Sequence, residues 1–279
     1  MIKWTDVILI LILIPASALA GGMIACLEKF AGALISGRKP AYFFQPFNDF
    51  LSRIRTVGSE LNRMQLYSAA LHLILSMTAC AILFMRDDLL LAIFAFLMAN
   101  AVLIAGVGSL NSPYSRMGAK HETYKFVLYG TVLFIFAVCV KQVTGSFIIA
   151  DMFKTVNPLF YRLPLLFMLV APIIAVRAGK SPFNFSKEML IEFNGAQTSI
   201  LMLAGWFERV FLYSMVYLFL AQNPASGIML AFAVFVMQTV SDKFLGDIKP
   251  ITFLKWGSFA VMLLAGINLL WIFLGGMAV

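Results

Sequence analysis

Residues 177–209 read RAGKSPFNFSKEMLIEFNGAQTSILMLAGWFER and join two long apolar runs. The stretch opens with Arg177, Lys180 and Lys187, continues with Glu188 and Glu192, and ends with Glu208 and Arg209 embedded in apolar sequence. A charged side chain at the centre of a bilayer costs about 2.5–3.5 kcal/mol on insertion scales. If the flanking runs are membrane spans, Glu208 therefore needs a partner, a proton or water. The remaining sequence reads as the frame that holds this loop and this glutamate.

Working outward, the chain is 62% hydrophobic and 12% charged, with a mean hydropathy of +0.93. Soluble domains are about half apolar and a quarter charged, so this is the composition of an integral membrane protein. The net charge of +8 is modest, and the cations lie between apolar runs. Nucleic-acid binding would need a basic face on a soluble module, and no such module is present. Lipid headgroups and membrane orientation account for the charge better. Cys26, Cys80 and Cys139 are far apart with no CxxC, so no metal or iron–sulfur site is expected in this chain. There is no Gly-rich phosphate loop and no Ser/His/Asp arrangement. His72 lies within an apolar run and reads as a packed residue, and His121 sits at the edge of another run.

A span needs about 20 apolar residues. The expected fold is all-α and polytopic, a single integral membrane domain over residues 1–279 with about eight transmembrane helices and one amphipathic surface helix. The spans fall at about Val7–Leu27, Leu66–Met85, Leu89–Leu110, Tyr124–Val140, Leu159–Val176, Thr198–Ala221, Ser226–Leu245 and Thr252–Gly275. No strand-like alternation supports a β-barrel, and no internal repeat is evident. Lys3, the apolar Val7–Ile14 and Ala18-Leu19-Ala20 also fit a cleavable signal peptide, but the leading segment is weakly basic and contains Asp6. With eight spans, the loops after the odd-numbered ones carry fifteen of the 21 Lys and Arg, the opposite side carries five, and Arg209 lies inside a span. The positive-inside rule makes the richer side cytoplasmic and puts both termini outside.

In the first cytoplasmic loop Pro46 can begin a helix. Phe47, Leu51 and Ile54 then share one face, as on an amphipathic helix lying on the membrane surface. The Phe147–Phe153 piece is too short to span and reads as an outer-face surface segment. Among the charges, Glu28 adjoins Lys29, and Glu122 can pair with Lys125 at i+3. Glu188 and Glu192 would stack at i+4 and repel. Glu208 and Arg209 diverge by about 100° on a helix, so each needs a different partner. Asp242, Lys243, Asp247 and Lys249 read as a solvated loop.

Several stretches together resemble one family. They are Leu27-Glu28-Lys29, Gly37-Arg38-Lys39-Pro40, Gln45-Pro46 with Asp49, Ser112-Pro113-Tyr114 with Gly118-Ala119 and Glu122, and Lys180-Ser181-Pro182-Phe183-Asn184-Phe185. In order and spacing they resemble the membrane subunit shared by respiratory complex I (subunit 1, or H) and the group 4 membrane-bound nickel–iron hydrogenases. In the latter it is the anchor of formate hydrogenlyase and of energy-converting hydrogenases. Glu208 and Asp247 also stand at family positions. The short Pro40–Gln45 spacing is closer to the hydrogenase branch. Three positions depart from the pattern. Asn184 replaces an aspartate, Ser199 or its neighbour stands where a glutamate is usual, and Tyr129 stands where many members carry a glutamate. The departures leave an altered acidic path and an interrupted one equally open.

The resemblance implies a non-catalytic subunit of a redox-driven ion-translocating oxidoreductase complex in a prokaryotic cytoplasmic (inner) membrane. It implies that the nickel–iron site and iron–sulfur clusters reside in soluble partner subunits, that antiporter-like membrane subunits lie alongside, and that this chain holds no cofactor. Arg38, Gln45, Asp49, Lys180, Pro182 and Phe183 would dock the soluble arm. Glu28, Glu122, Glu188, Glu192, Glu208 and Arg209 would couple it to proton or sodium movement. Alternatives are a complex I subunit lining a quinone site, a stand-alone secondary transporter and a passive anchor.

Overall fold

The computed structural model describes residues 4–37, 39, 42–55, 63–110, 112–155, 157–168, 170–171, 193 and 195–244, with 259, 263, 264, 266, 267 and 270 beyond them. Within these residues the chain is all-α, and the sole β feature is an isolated bridge between Asp88 and Ile148. The helices are α1 (Trp4–Ile35), α2 (Gln45–Arg55), α3 (Arg63–Phe84), α4 (Leu89–Gly108), α5 (Pro113–Thr144), the short α6 (Ile149–Met152) and α7 (Leu159–Arg162), α8 (Gly195–Tyr217) and α9 (Pro224–Phe244). A short 3-10 turn, Leu218–Leu220, extends α8.

Local chemistry sets several boundaries. The Asp88 carboxylate caps α4 by accepting from the amides of Leu90 and Leu91 at 2.7 and 3.1 Å. Pro113 opens α5, where its missing N–H costs nothing. Gly145 closes α5 in the left-handed conformation (φ 79°), its amide donating to the Lys141 carbonyl at 2.8 Å. Pro15 lies inside α1, and the Ser17 hydroxyl donates to the Ile14 carbonyl at 2.7 Å nearby.

Among the described residues, five helices are long and apolar enough to cross a membrane, within Leu11–Ile35, Arg63–Phe84, Leu89–Gly108, Pro113–Thr144 and Gly195–Leu220. They match five of the expected spans; the expected count of eight is not reached among the described residues. Within the described residues of α9 the apolar stretch is Pro224–Val240, shorter than the other five. The expected fifth span begins as the four-residue α7, which stops before Pro164; the chain is helical again at 164–168 and 170–171, and the end of that span and most of the eighth lie outside the described residues. The expected fourth span was also too short. At 32 residues α5 extends about 48 Å, well beyond a hydrocarbon core of about 30 Å. Its first turns carry Arg116, Lys120, His121, Glu122 and Lys125.

The central element is α8. It packs against α3 and α1 on two sides, α2 near its start and α9 near its end, while α3–α4–α5 form consecutive neighbouring pairs. Its Phe211 stacks on Phe96 of α4 at 4.5 Å between ring centroids. Close approach of α1 depends on Gly21, where an added Cβ would lie 2.3 Å from the Trp206 carbonyl oxygen. Small residues at such crossings let membrane helices pack backbone to backbone.

The Phe147–Phe153 piece is tied to the neighbouring turn by backbone hydrogen bonds, with Ile148 left exposed. Leu89 donates to the Phe147 carbonyl, and Ile149 and Ala150 donate to the carbonyls of Asp87 and Arg86. These bonds lash it to the α3–α4 turn and bury Ile149 and Met152. Too short to span, it closes one end of the bundle. The Arg86 guanidinium lies 4.1 Å above the Phe153 ring. In the same loop the Ser146 hydroxyl donates to Asp151 at 2.6 Å and Lys154 pairs with it at 3.1 Å. The two hold the Asp151 carboxyl below the usual range.

Candidate functional site: charges on the central helix

Glu208 and Arg209 lie midway along α8, roughly 20 Å from its start, with side chains 0% and 1% exposed. As neighbours on a helix they point in different directions, and the structure gives them different partners. On the α1 side, Arg209 Nε lies 3.3 Å from Glu28 Oε2. Gln238 of α9 donates from Nε2 to Glu28 Oε1 at 3.1 Å, and the Tyr213 hydroxyl of α8 donates to Gln238 Oε1. Three helices thus meet in one polar chain, with Glu28 accepting from Gln238 and paired in charge with Arg209.

On the α3 side, Glu208 Oε1 lies 3.7 Å from His72 Nε2, and both side chains are fully buried. The other ring nitrogen, His72 Nδ1, is 2.9 Å from the Ala99 carbonyl of α4. One turn or two along α3, Ser76 donates to the His72 carbonyl at 2.8 Å and Cys80 donates to the Phe207 carbonyl of α8 at 3.3 Å.

The energetic logic is asymmetric. Breaking a buried ion pair by removing one partner costs about 3–5 kcal/mol, whereas replacing the whole pair by apolar groups is often neutral. Stability alone does not explain why charges occupy the most buried helix. What the arrangement can do chemically is hold protons and opposite charges at membrane depth, with carboxyls on both sides of one helix.

The other expected coupling residues fall elsewhere. Glu122 is buried near the start of α5 and pairs with Lys125 at 2.8 Å, the i+3 contact its spacing suggests. Tyr129 is packed between Phe96 and Phe126, at centroid distances of 6.0 and 5.8 Å. Ser199 is buried, and its hydroxyl donates to the carbonyls of Phe50 and Gly195 at 3.4 and 3.3 Å. At that position it helps fasten α2 to α8. Glu188, Glu192, Asn184, Lys180, Pro182, Phe183 and Arg38 lie outside the described residues, as does Asp247.

Two of the expected docking residues sit on α2. Gln45 begins the helix. Asp49 pairs with Lys29, just past Glu28 on α1, at 3.0 Å with both side chains about one-third exposed. Phe47 and Phe50 flank Trp206 of α8 at centroid distances of 5.0 and 5.2 Å, while Leu51 and Ile54 remain exposed. Packing selects the positions facing Trp206, which the apolar pattern of α2 alone does not specify.

The sequence reading missed Gln238 and Tyr213 and treated His72 only as packed. His72 is packed, but against Glu208, an acidic residue inside a span. The available signal was a polar side chain inside an apolar run, a feature His72 and Gln238 share with Glu208. Among the described residues, no three of His, Cys, Asp and Glu are grouped so as to hold a metal ion.

No family model matches the sequence, and no curated protein is similar to it. Among solved structures the chain is similar to a chain of the membrane-bound sulfane sulfur reductase, an archaeal respiratory membrane complex. The match has a TM-score of 0.80 at 15% identity and covers 96% of this chain and 99% of that one. At this identity the likeness shows a shared fold.

Proposed function

We propose that this chain is the membrane subunit of a multisubunit redox complex and that it couples redox chemistry to ion movement through the charges of α8. The observation that carries the reading is Glu208 and Arg209 on the most buried helix, with His72 and Glu28 against them. Ionisable groups inside spans are costly and mark proton or ion pathways. The shared fold, nearly end to end, with a chain of a respiratory membrane complex supports a subunit role. The loop motifs support the finer reading, an anchor and coupling subunit most like that of a group 4 nickel–iron hydrogenase in a prokaryotic cytoplasmic membrane. In that reading the termini face outward, the soluble nickel–iron and iron–sulfur subunits dock on the cytoplasmic loops, antiporter-like subunits lie in the membrane, and this chain carries no cofactor.

A passive anchor is the second reading. It is favoured by Tyr129, which fills with aromatic packing a position where the resembling family often has an acid. Glu208→Gln in the intact complex separates the two. Coupling through Glu208 is expected to reduce ions moved per electron by at least about tenfold, since positioned acid–base groups typically contribute 10²–10⁴-fold. Unchanged ion movement at unchanged electron flux would leave only the anchor. Mild-detergent purification checks the partner assignment, because a chain that purifies without redox subunits is not such a subunit.

A further inference from the structure

We propose that His72 and Glu208 form one proton-holding unit, in which the His72 imidazole is the base that takes the Glu208 proton on the α3 side of α8. This rests on the coupling role proposed for Glu208 and adds a second titrating group to it.

The tautomer follows from the hydrogen bond. The Ala99 carbonyl can only accept, so His72 Nδ1 carries the hydrogen and donates across 2.9 Å. In the neutral ring Nε2 therefore presents its lone pair, and the atom it faces is Glu208 Oε1 at 3.7 Å. That is about 0.5 Å beyond hydrogen-bond reach. Rotation of the carboxyl about its terminal torsion, which is broad and shallow, closes the distance. The transfer breaks O–H at Glu208 and forms N–H at His72 Nε2, turning acid and imidazole into carboxylate and imidazolium. Nothing is oxidised, and the pair carries zero net charge before and after.

The surrounding groups favour that neutrality. On the opposite side of α8, Arg209 is balanced by Glu28 of α1. Cys80 of α3 donates its thiol hydrogen to the Phe207 carbonyl and is neutral. Residues 89–108 of α4 include no titratable side chain, so α4 orients the ring without adding charge. A single proton shared between Glu208 and His72 keeps that pair neutral, beside the ion pair on the α1 side, in a medium where an unbalanced charge is expensive. Such a pair can hand its proton on or accept another in response to a charge appearing nearby. A histidine buried only for packing would keep one protonation state while Glu208 titrates.

The test uses the intact complex. Infrared difference spectra are recorded across pH, with the Glu208 carboxyl band assigned by its loss in Glu208→Gln and the His72 ring bands by their loss in His72→Gln. The proposal expects the two sets to change together in the wild type, as coupled groups titrate as a pair. Ring bands that stay constant through the carboxyl step would overturn it. His72→Gln keeps an amide able to donate to Ala99 but cannot titrate. It is expected to lower ions moved per electron at least about tenfold with electron flux retained. Loss of pumping in Glu208→Gln with full pumping in His72→Gln would refute the pair while sparing Glu208. Full pumping in both would remove the coupling role as well. Should His72→Gln fail to assemble, isotope-labelled histidine in the wild type and in Glu208→Gln supplies the ring assignment. A ring signal at the carboxyl step in wild type that vanishes in Glu208→Gln then supports the pair, and its absence overturns it.

Discussion

α4 and α8 are both long enough to span a membrane, yet their composition and placement are opposite. α4 is the most apolar of the five candidate spans and is 44% buried, whereas α8 is the least apolar and is 83% buried. In water the more apolar helix would take the centre. In a bilayer the lipid tails already accept apolar side chains, so hydrophobicity does not select which helix lies inside. What needs protection from lipid is polar side chains, and α8 carries Glu208 and Arg209 while α4 shows Leu91 and Phe94 outward. The comparison teaches that the interior of this molecule is arranged around its charges, with apolar surface left over for lipid or neighbouring subunits.

That contrast can be broken most directly at Arg209. Arg209→Leu leaves Glu28 without its cation, and a loss of about 3–5 kcal/mol is expected, read as reduced unfolding stability in mixed micelles. Combining it with Glu28→Leu should recover most of the loss, as the removal of a whole pair is often tolerated. A double variant no more stable than Arg209→Leu would mean that the two groups do not act together.

The next effect concerns how closely α1 approaches α8. In Gly21→Ala the new methyl meets the Trp206 backbone, whose carbonyl oxygen would lie 2.3 Å away. Overpacking of this kind costs about 1–3 kcal/mol. At Gly22 the obstacle is the outer edge of the Phe47 ring at 2.5 Å, which can swing aside, so Gly22→Ala should cost less. Equal melting temperatures for the two variants would contradict a backbone-limited crossing.

On α4 the expectation is near silence. Phe94 is 53% exposed, and Phe94→Leu should change stability by no more than about 0.5 kcal/mol. A larger loss in the isolated chain would show that this face is not an outer surface.

The smallest effect lies in the loop that closes the bundle. Ser146 and Lys154 favour the charged form of Asp151, which lowers its folded-state value from an ordinary 3.8. The resulting stabilisation is fully present above the unfolded value, and it is lost as pH falls below it through the depressed one. Amide exchange at Ile149, corrected for intrinsic rate, should therefore separate wild type from Asp151→Asn at neutral pH and converge in strong acid. A constant difference down to pH values well below the ordinary one would remove Asp151 from the account.

Parts of this arrangement were legible in the residues. The i+3 spacing of Glu122 and Lys125 announced their pair, and the helical turn between Glu208 and Arg209 announced separate partners. Residues distant in the chain were not legible. Asp49 pairs with Lys29, twenty positions earlier. Gln238 reaches Glu28 from 210 positions away, and no local pattern encodes such a separation.

The sequence alone determined that the chain is helical and belongs in a membrane, because apolar length and the scarcity of charge are properties of composition and order. It also determined that Glu208 and Arg209 need partners, because a bilayer offers an isolated charge no solvation. Only the tertiary structure decided which side chains those partners are. Helix packing brings α1, α3 and α9 onto different sides of α8, and whether Glu28, His72 or Gln238 lies within a few ångströms of a charge depends on rotation and crossing of whole helices. Those are set by backbone approach at positions such as Gly21 and by the fit of Phe96 on Phe211.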